Sequence, residues 1–312
     1  MDHAVRAATF LCLLVGCGGA TGGATASRGP TRAACGQQGV AVQVLGSGGP
    51  IVDDARASSG YLVWQDGRAR VLVDVGGGVA LRLAQSGASL DALDAVLISH
   101  AHVDHTSDLP AVLKSLSFGD RSDPLPVVGP SAAGPFPAIG ALLDALIGPE
   151  GAWRYLDGYR QGRPFALAPR EVDVDADAAT VLDADGLTVR AVGVPHGPVP
   201  ALGFVVELGG RRIAFGGDQR LDDPRFEELA REVELLVAHH AIGEDATGVA
   251  AELHARPSQI AAFAARARVG RVALSHHMAR SLAHLDRHRA ILSEGFEGPI
   301  EVADDLDCFP VR

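Results

Sequence analysis

Basic charge is in short supply in this chain. Lysine and arginine number 27 against 38 aspartates and glutamates, for a formal net charge of −11, and the arginines nowhere gather into a run. Surfaces that wrap nucleic acid normally carry a basic excess, so nucleic acid is not expected as a partner. Long apolar runs are also missing: no stretch reaches the roughly 20 residues that a spanning helix needs. Cysteine is scarce, with only four in 312 residues. What is present is core material. A hydrophobic share of 47% and a mean hydropathy of +0.16 exclude wholesale disorder, and the length suits one large domain or two modest ones.

The first residues, "MDHAVRAATFLCLLVGCGGA", place Arg6 before an apolar segment from Ala7 to Val15, followed by Gly16 and Cys17. That segment matches the apolar region of a secretory signal. "LVGC" resembles the bacterial lipoprotein box, which implies a signal peptide over residues 1–16 and a lipidated Cys17. The chain is then expected to be exported and lipid-anchored in the bacterial cell envelope, reaching the membrane through Cys17. Gly18, standing where an acidic residue would retain it, favours the outer membrane. Residues 17–39 are small and polar with no apolar period, and read as a flexible tether. In an oxidising compartment the remaining Cys35 and Cys308 can pair; two free thiols are the alternative.

Residues 40–312 read as one domain. "VAVQVLG" (40–46), "SGYLVWQ" (59–65) and "ARVLVDVG" (69–76) are apolar or alternating runs bounded by Gly and Asp, the pattern of strands. "VALRLAQSG" (79–87) and "SDLPAVLKSL" (107–116) have helical spacing, with "DALDAVLISH" (91–100) turning into a buried strand between them. The order recurs: strands at 187–196, 202–218 and 233–240, a helix at 257–268 begun by Pro257, then strands at 269–277 and 298–304. No sequence repeat links the halves. Strand runs followed by helices predict a layered α/β domain with helices outside two sheets.

The densest polar cluster is "AVLISHAHVDHTSDLP" (95–110), with His100, His102, Asp104 and His105 directly after an apolar run. Alone it could be a solvated loop. Three further residues stand at the ends of apolar runs: His196 after "LTVRAVGVP", Asp218 after "RIAFGG" and His276 after "VALS". Sites in α/β sheets lie where strands emerge, and buried histidines would each need a partner of their own. Imidazoles and carboxylates without cysteine suit zinc, manganese or iron.

Taken in order, these motifs resemble the metallo-β-lactamase-fold hydrolases, and among them the RNase Z and arylsulfatase-like branch. "HAHVDH" carries the HxHxDH signature. "VLGSGGP", "SSGYLVW" and "LVDVGGG" resemble the branch's opening strands, while "VPHG", "FGGDQR" and "ALSHHMAR" match its later metal motifs. "HARPSQIAAFA" (254–264) resembles a further histidine-plus-helix element. The resemblance covers residues 40 to 303. It implies a four-layer αβ/βα sandwich of two mixed sheets with helices outside, holding two divalent ions. One ion would sit on His100, His102 and His196, the other on Asp104, His105 and His276, with Asp218 bridging. Such a pair, roughly 3.5–4 Å apart, can share a hydroxide nucleophile and clamp the attacking and leaving oxygens.

The branch also implies a proton-donating histidine near the "HARPSQ" element. The register of "ELLVAHHAI" puts Ala238 where it would fall, and one residue of slip reverses the strand face, so His239, His240 and His254 all stand as candidates. The expected reaction is metal-dependent hydrolysis of a phosphodiester or related small-molecule ester. Arylsulfatase, lactonase or β-lactamase-type hydrolysis, or a non-catalytic metal-binding module, are the alternatives. The branch's tRNA-gripping arm does not fit between His196 and Asp218. "WRYLDGYR", with Trp153, Arg154, Tyr155, Tyr159 and Arg160, reads either as a pocket wall or as a helical face on the core. Asp53 reads either as a loop acid near the site or as a surface residue. A homodimer is left open.

Overall fold

Alternation along the strands decides the layering. In β1 (Val40–Gly46) the side chains of Val40, Val42 and Val44 point to one face, Ala41 and Leu45 to the other, and all five are buried. A strand buried on both faces has to lie between two layers. Val40, Val42 and Val44 belong to a core that also takes Val189, Phe204, Val206 and Val237 from a second sheet. Ala41 and Leu45 join a different core, with Leu83, Leu113 and Leu143 of three covering helices.

The computed structural model describes residues 35–312. Thirteen more strands follow β1: β2 (Gly60–Gln65), β3 (Arg68–Val73), β4 (Ala95–Leu97), β5 (Leu125–Pro130), β6 (Leu167–Val172), β7 (Ala179–Ala184), β8 (Leu187–Val194), β9 (Ala201–Leu208), β10 (Arg211–Phe215), β11 (Leu235–His239), β12 (Val272–Ser275), β13 (Ile300–Val302) and β14 (Cys308–Val311). They form two seven-stranded sheets, ordered β14-β1-β2-β3-β4-β5-β6 and β13-β12-β11-β10-β9-β8-β7. Helices Val79–Ser86, Leu109–Leu116 and Ile139–Ile147 cover the first sheet. Pro224–Leu229, Pro257–Arg266 and Leu285–Gly295 cover the second, through Phe226, Phe263 and Leu292. The expected four-layer sandwich of two mixed sheets is the architecture found.

The sheets repeat one pairing scheme that the sequence does not announce. From β14 to β3 the three pairings are antiparallel, and from β3 to β6 they are parallel. From β7 to β10 they are again antiparallel, and from β10 to β13 parallel. The carboxyl ends of β3 and β4 therefore open together, as do those of β10, β11 and β12. Between β9 and β10 there is only the Gly209-Gly210 turn, both residues at positive φ, so no arm is inserted there.

Cys35 and Cys308 are joined by a disulfide with Cα atoms 5.6 Å apart. Of residues 35–39, assigned by composition to the tether, Cys35 and Gly36 are buried, with Gly36 against Trp64, while residues 37–39 are exposed and the Gly39 N–H donates to Asp66. The signal-peptide reading and lipidation at Cys17 fall outside the described residues. Among those residues no helix is long and apolar enough to cross a membrane. Of "WRYLDGYR", Leu156 and Tyr159 pack on the core, and the Tyr159 hydroxyl donates to the Leu113 carbonyl at 2.8 Å. Trp153 and Tyr155 are exposed, with Tyr155 beside Lys114 of the same outer helix.

Candidate dimetal active site

The side chains that face Asp218 come from the carboxyl ends of strands or the residues just past them, except His254, which follows the short helix Val249–Leu253. β4 runs into Ser99 and His100, and a single helical turn, Val103–Thr106, then swings Asp104 and His105 back toward the sheet. His196 follows β8, Asp218 follows β10, His239 ends β11 and His276 follows β12. Asp74 and His276 sit at φ 55° and 54°, a region costly for non-glycine residues and typical of functional sites.

Asp218 stands at the centre. Its Oδ2 is 3.8 Å from His100 Nε2, 3.6 Å from His196 Nε2 and 3.7 Å from His105 Nε2. Its Oδ1 is 3.4 Å from His276 Nε2. Asp104 Oδ2 lies 3.4 Å from His105 Nε2 and 3.8 Å from His276 Nε2. Two ligand atoms each about 2.1 Å from a shared tetrahedral ion lie about 3.4 Å apart, so these spacings suit bound cations. The ligand atoms of His100, His102, His196 and Asp218 form one group, and those of Asp104, His105 and His276 another; within each, all lie within 4.8 Å of one another. The nitrogens aimed inward, Nε2 of His105, His196 and His276, are buried with no hydrogen-bond partner. Such groups are rare unless a ligand satisfies them, and divalent cations held by these residues would do so.

Burial lowers the pKa of His100 and His276 well below the usual value, despite the Asp218 charge, which keeps these nitrogens free to coordinate. Burial would raise Asp104, but the His105 hydrogen bond and charge hold it at about 2. Burial likewise opposes ionisation of Asp218, and the surrounding His276, His254 and His239 overcome it, so its pKa lies well below normal. His105 goes the other way: burial disfavours its charge, yet the Asp74 carboxylate raises its proton affinity. The same carboxylate makes its free nitrogen a stronger ligand.

The outer contacts contain residues that the sequence reading passed over. Asp74 accepts from His105 Nδ1 at 2.7 Å and from the Ser99 amide at 2.7 Å. Ser59 Oγ is 2.7 Å from His276 Nδ1, and the Leu253 carbonyl is 3.1 Å from His196 Nδ1. Asp74 had a usable signal, an acid ending an apolar run like Asp218; Ser59 and Leu253 had none. Gly49 lies so close to His276 that an added Cβ would stand 3.1 Å from its Nε2, so a side chain there would press on the site. Asp53 is exposed on the same loop.

The three proton-donor candidates separate. Ala238 packs toward the helices covering the second sheet, which puts His239 on the inner face. Both its nitrogens are engaged: Nδ1 lies 2.6 Å from Asp218 Oδ1 and Nε2 3.0 Å from the Tyr61 hydroxyl. His240 is not brought to the site, because the strand alternation turns it away to pair with His277 and His288 at 3.1 and 2.9 Å. His254 Nδ1 lies 3.8 Å from Asp218 Oδ1 and is buried without a hydrogen-bond partner.

Residues 69–277 match the Beta-lactamase superfamily domain, and the chain belongs to that superfamily. Ribonuclease Z of Mycolicibacterium paratuberculosis is 34% identical over 282 residues, covering 86% of this chain and 96% of the relative. Ribonuclease Z of Mycobacterium marinum is likewise 34% identical, over 86% and 97%. The human short-form tRNase Z structure superimposes with a TM-score of 0.67 at 22% identity, covering 87% of this chain and 99% of that one. The metallo-β-lactamase fold protein YhfI from Bacillus subtilis gives 0.66 at 21%, over 86% and 98%. With these relatives and this site, the chain is a metal-dependent hydrolase of phosphodiesterase type. The expectation that nucleic acid is not a partner is overturned by the ribonuclease relatives. Net charge averages over the whole surface, whereas two divalent cations would set the local field where a phosphate binds.

Proposed function

We propose that the chain is a dizinc phosphodiesterase acting on RNA. The observation that carries this reading is the pair of buried ligand groups sharing Asp218, with inward nitrogens that nothing else satisfies. The ribonuclease names of relatives a third identical to this chain supply the substrate class. When bound, the two ions supply an activated water and neutralise charge on the phosphate.

The chain's own residues do the rest. His100, His102 and His196 would hold one ion, Asp104, His105 and His276 the other, with Asp218 between them. Asp74, Ser59 and the Leu253 carbonyl take the outer nitrogens of His105, His276 and His196 and so fix which nitrogen faces inward. His102 is partly exposed while the other six ligand residues are buried, so the phosphate enters on its side. As the bond from phosphorus to the leaving oxygen breaks, that oxygen needs a proton. His254 is the one candidate with an inward nitrogen that makes no hydrogen bond, so it is the one placed to pass a proton to that oxygen.

The test compares two substrates. Zinc-loaded protein should shorten a tRNA transcript and hydrolyse bis-p-nitrophenyl phosphate. His254→Ala should slow RNA cleavage by about 10²–10⁴-fold and affect the nitrophenyl ester far less, since p-nitrophenolate leaves without a proton. Equal loss on both substrates would remove His254 as donor, and no hydrolysis of either by the loaded wild type would overturn the reading.

A further inference from the structure

His239 reaches the site without offering it a free nitrogen. Its Nδ1 faces Asp218 Oδ1 at 2.6 Å. A carboxylate only accepts, so that nitrogen carries the proton, and in the neutral ring Nε2 is left needing a donor. Tyr61, on β2 of the opposite sheet, supplies one at 3.0 Å. The Tyr61 oxygen is also 3.1 Å from Ser275 Oγ, and since hydroxyl protons rotate, Ser275 can donate to Tyr61 while Tyr61 donates to His239. Each of these side chains is almost wholly inaccessible: Tyr61 1%, Ser275 0%, His239 4% and Asp218 3% exposed.

The arrangement crosses the molecule. Tyr61 sits among the residues that glue the two sheets, with Phe215 tilted against its ring at 5.7 Å. His239 stacks on His276 with centroids 4.4 Å apart and planes 5° from parallel. A turn of the His239 ring would thus disturb both the Asp218 carboxylate and the His276 ligand. A phenylalanine at position 61 would fill the same volume and leave Nε2 without a donor.

We propose that Tyr61 is a positioning residue for the metal pair. Its hydroxyl, backed by Ser275, locks the His239 ring in the tautomer that holds Asp218 between the two ligand groups and flat against His276. This rests on the dimetal reading above. Tyr61 touches neither substrate nor ion; it acts through His239.

The test is metal affinity, read by competition with a chromogenic zinc chelator on the full chain, with thermal unfolding alongside. Wild type should hold two zinc ions. Tyr61→Phe should still bind two at saturation, with affinity for at least one lowered about 10- to 100-fold, the usual cost of losing an outer partner of a metal site. Phe215→Leu, which loosens the same core without touching the hydroxyl, should lower the unfolding temperature and leave zinc affinity unchanged. Tyr61→Phe binding both ions as tightly as wild type would overturn the proposal, as would an equal loss in Phe215→Leu. Wild type that holds no zinc would instead sink the dimetal reading, so the two failures are distinct.

Discussion

Asp74 and Asp218 occupy matching places, each just past the first strand of the parallel half of its sheet, but they do different work. Asp218 points its oxygens at two histidines of each ligand group, His100 and His196 of one and His105 and His276 of the other. Asp74 stands one layer back and holds His105 by its outer nitrogen. Replacing Asp74 with Asn keeps the shape and an acceptor for the Ser99 amide but removes the charge that makes His105 a strong ligand. Asp74→Asn should therefore fold normally and bind zinc about 10- to 100-fold more weakly, measured by the same chelator competition; undiminished affinity would show that the carboxylate merely packs. At this scale the sequence was partly legible. The seven inward residues could be picked because each follows an apolar run. Tyr61 could not, since its partner lies on a strand far along the chain and only the stacking of two sheets brings them together. The histidines at 239 and 240 were ambiguous for a simpler reason. Adjacent strand residues face opposite ways, and the sequence does not say which way Ala238 points.

At the scale of elements, strand ends carry the chemistry and the chain ends hold the frame. β14 adds to the free edge of β1 by antiparallel pairing from Val40–Val311 to Gln43–Cys308, and the disulfide ties Cys35, just before β1, to the start of β14. Just before β14, Asp305 accepts from the Ser47 and Ala57 amides, pinning both ends of the loop that carries Gly49 past His276. Closing a loop of 273 residues should stabilise the fold by up to about 5 kcal/mol in the chain-entropy view. A Cys35→Ser, Cys308→Ser variant should unfold at lower temperature than wild type under non-reducing conditions, and the two should converge when reductant is added. Matching curves without reductant would show that the bridge adds nothing. Three of the covering helices were legible from spacing, and Pro257 begins its helix as its sequence position suggests, whereas Ile139–Ile147, Pro224–Leu229 and Leu285–Gly295 were not read from the sequence. The burial of Cys35 and Gly36 was not legible either, because a glycine reads the same in sequence whether free or set against Trp64.

For the molecule as a whole, composition misled where it averaged. The net charge of −11 describes the entire surface, and the ribonuclease relatives show that it does not exclude a nucleic-acid substrate. The doubled pairing scheme of the sheets was invisible in the sequence because each half keeps only the requirement for apolar strands, which many residues satisfy. What the scheme achieves is visible in space: two sets of parallel strand ends face one another across the inter-sheet core, and residues from His100 to His276 meet there. The central claim is that this meeting place holds two cations on either side of Asp218. The most direct check is an anomalous difference map at the zinc edge from crystals of the zinc-loaded protein. Two peaks should appear about 3.5–4 Å apart, one within about 2.2 Å of His100, His102 and His196, the other equally near Asp104, His105 and His276. A single peak, or zinc bound elsewhere with these nitrogens left bare, would contradict the account.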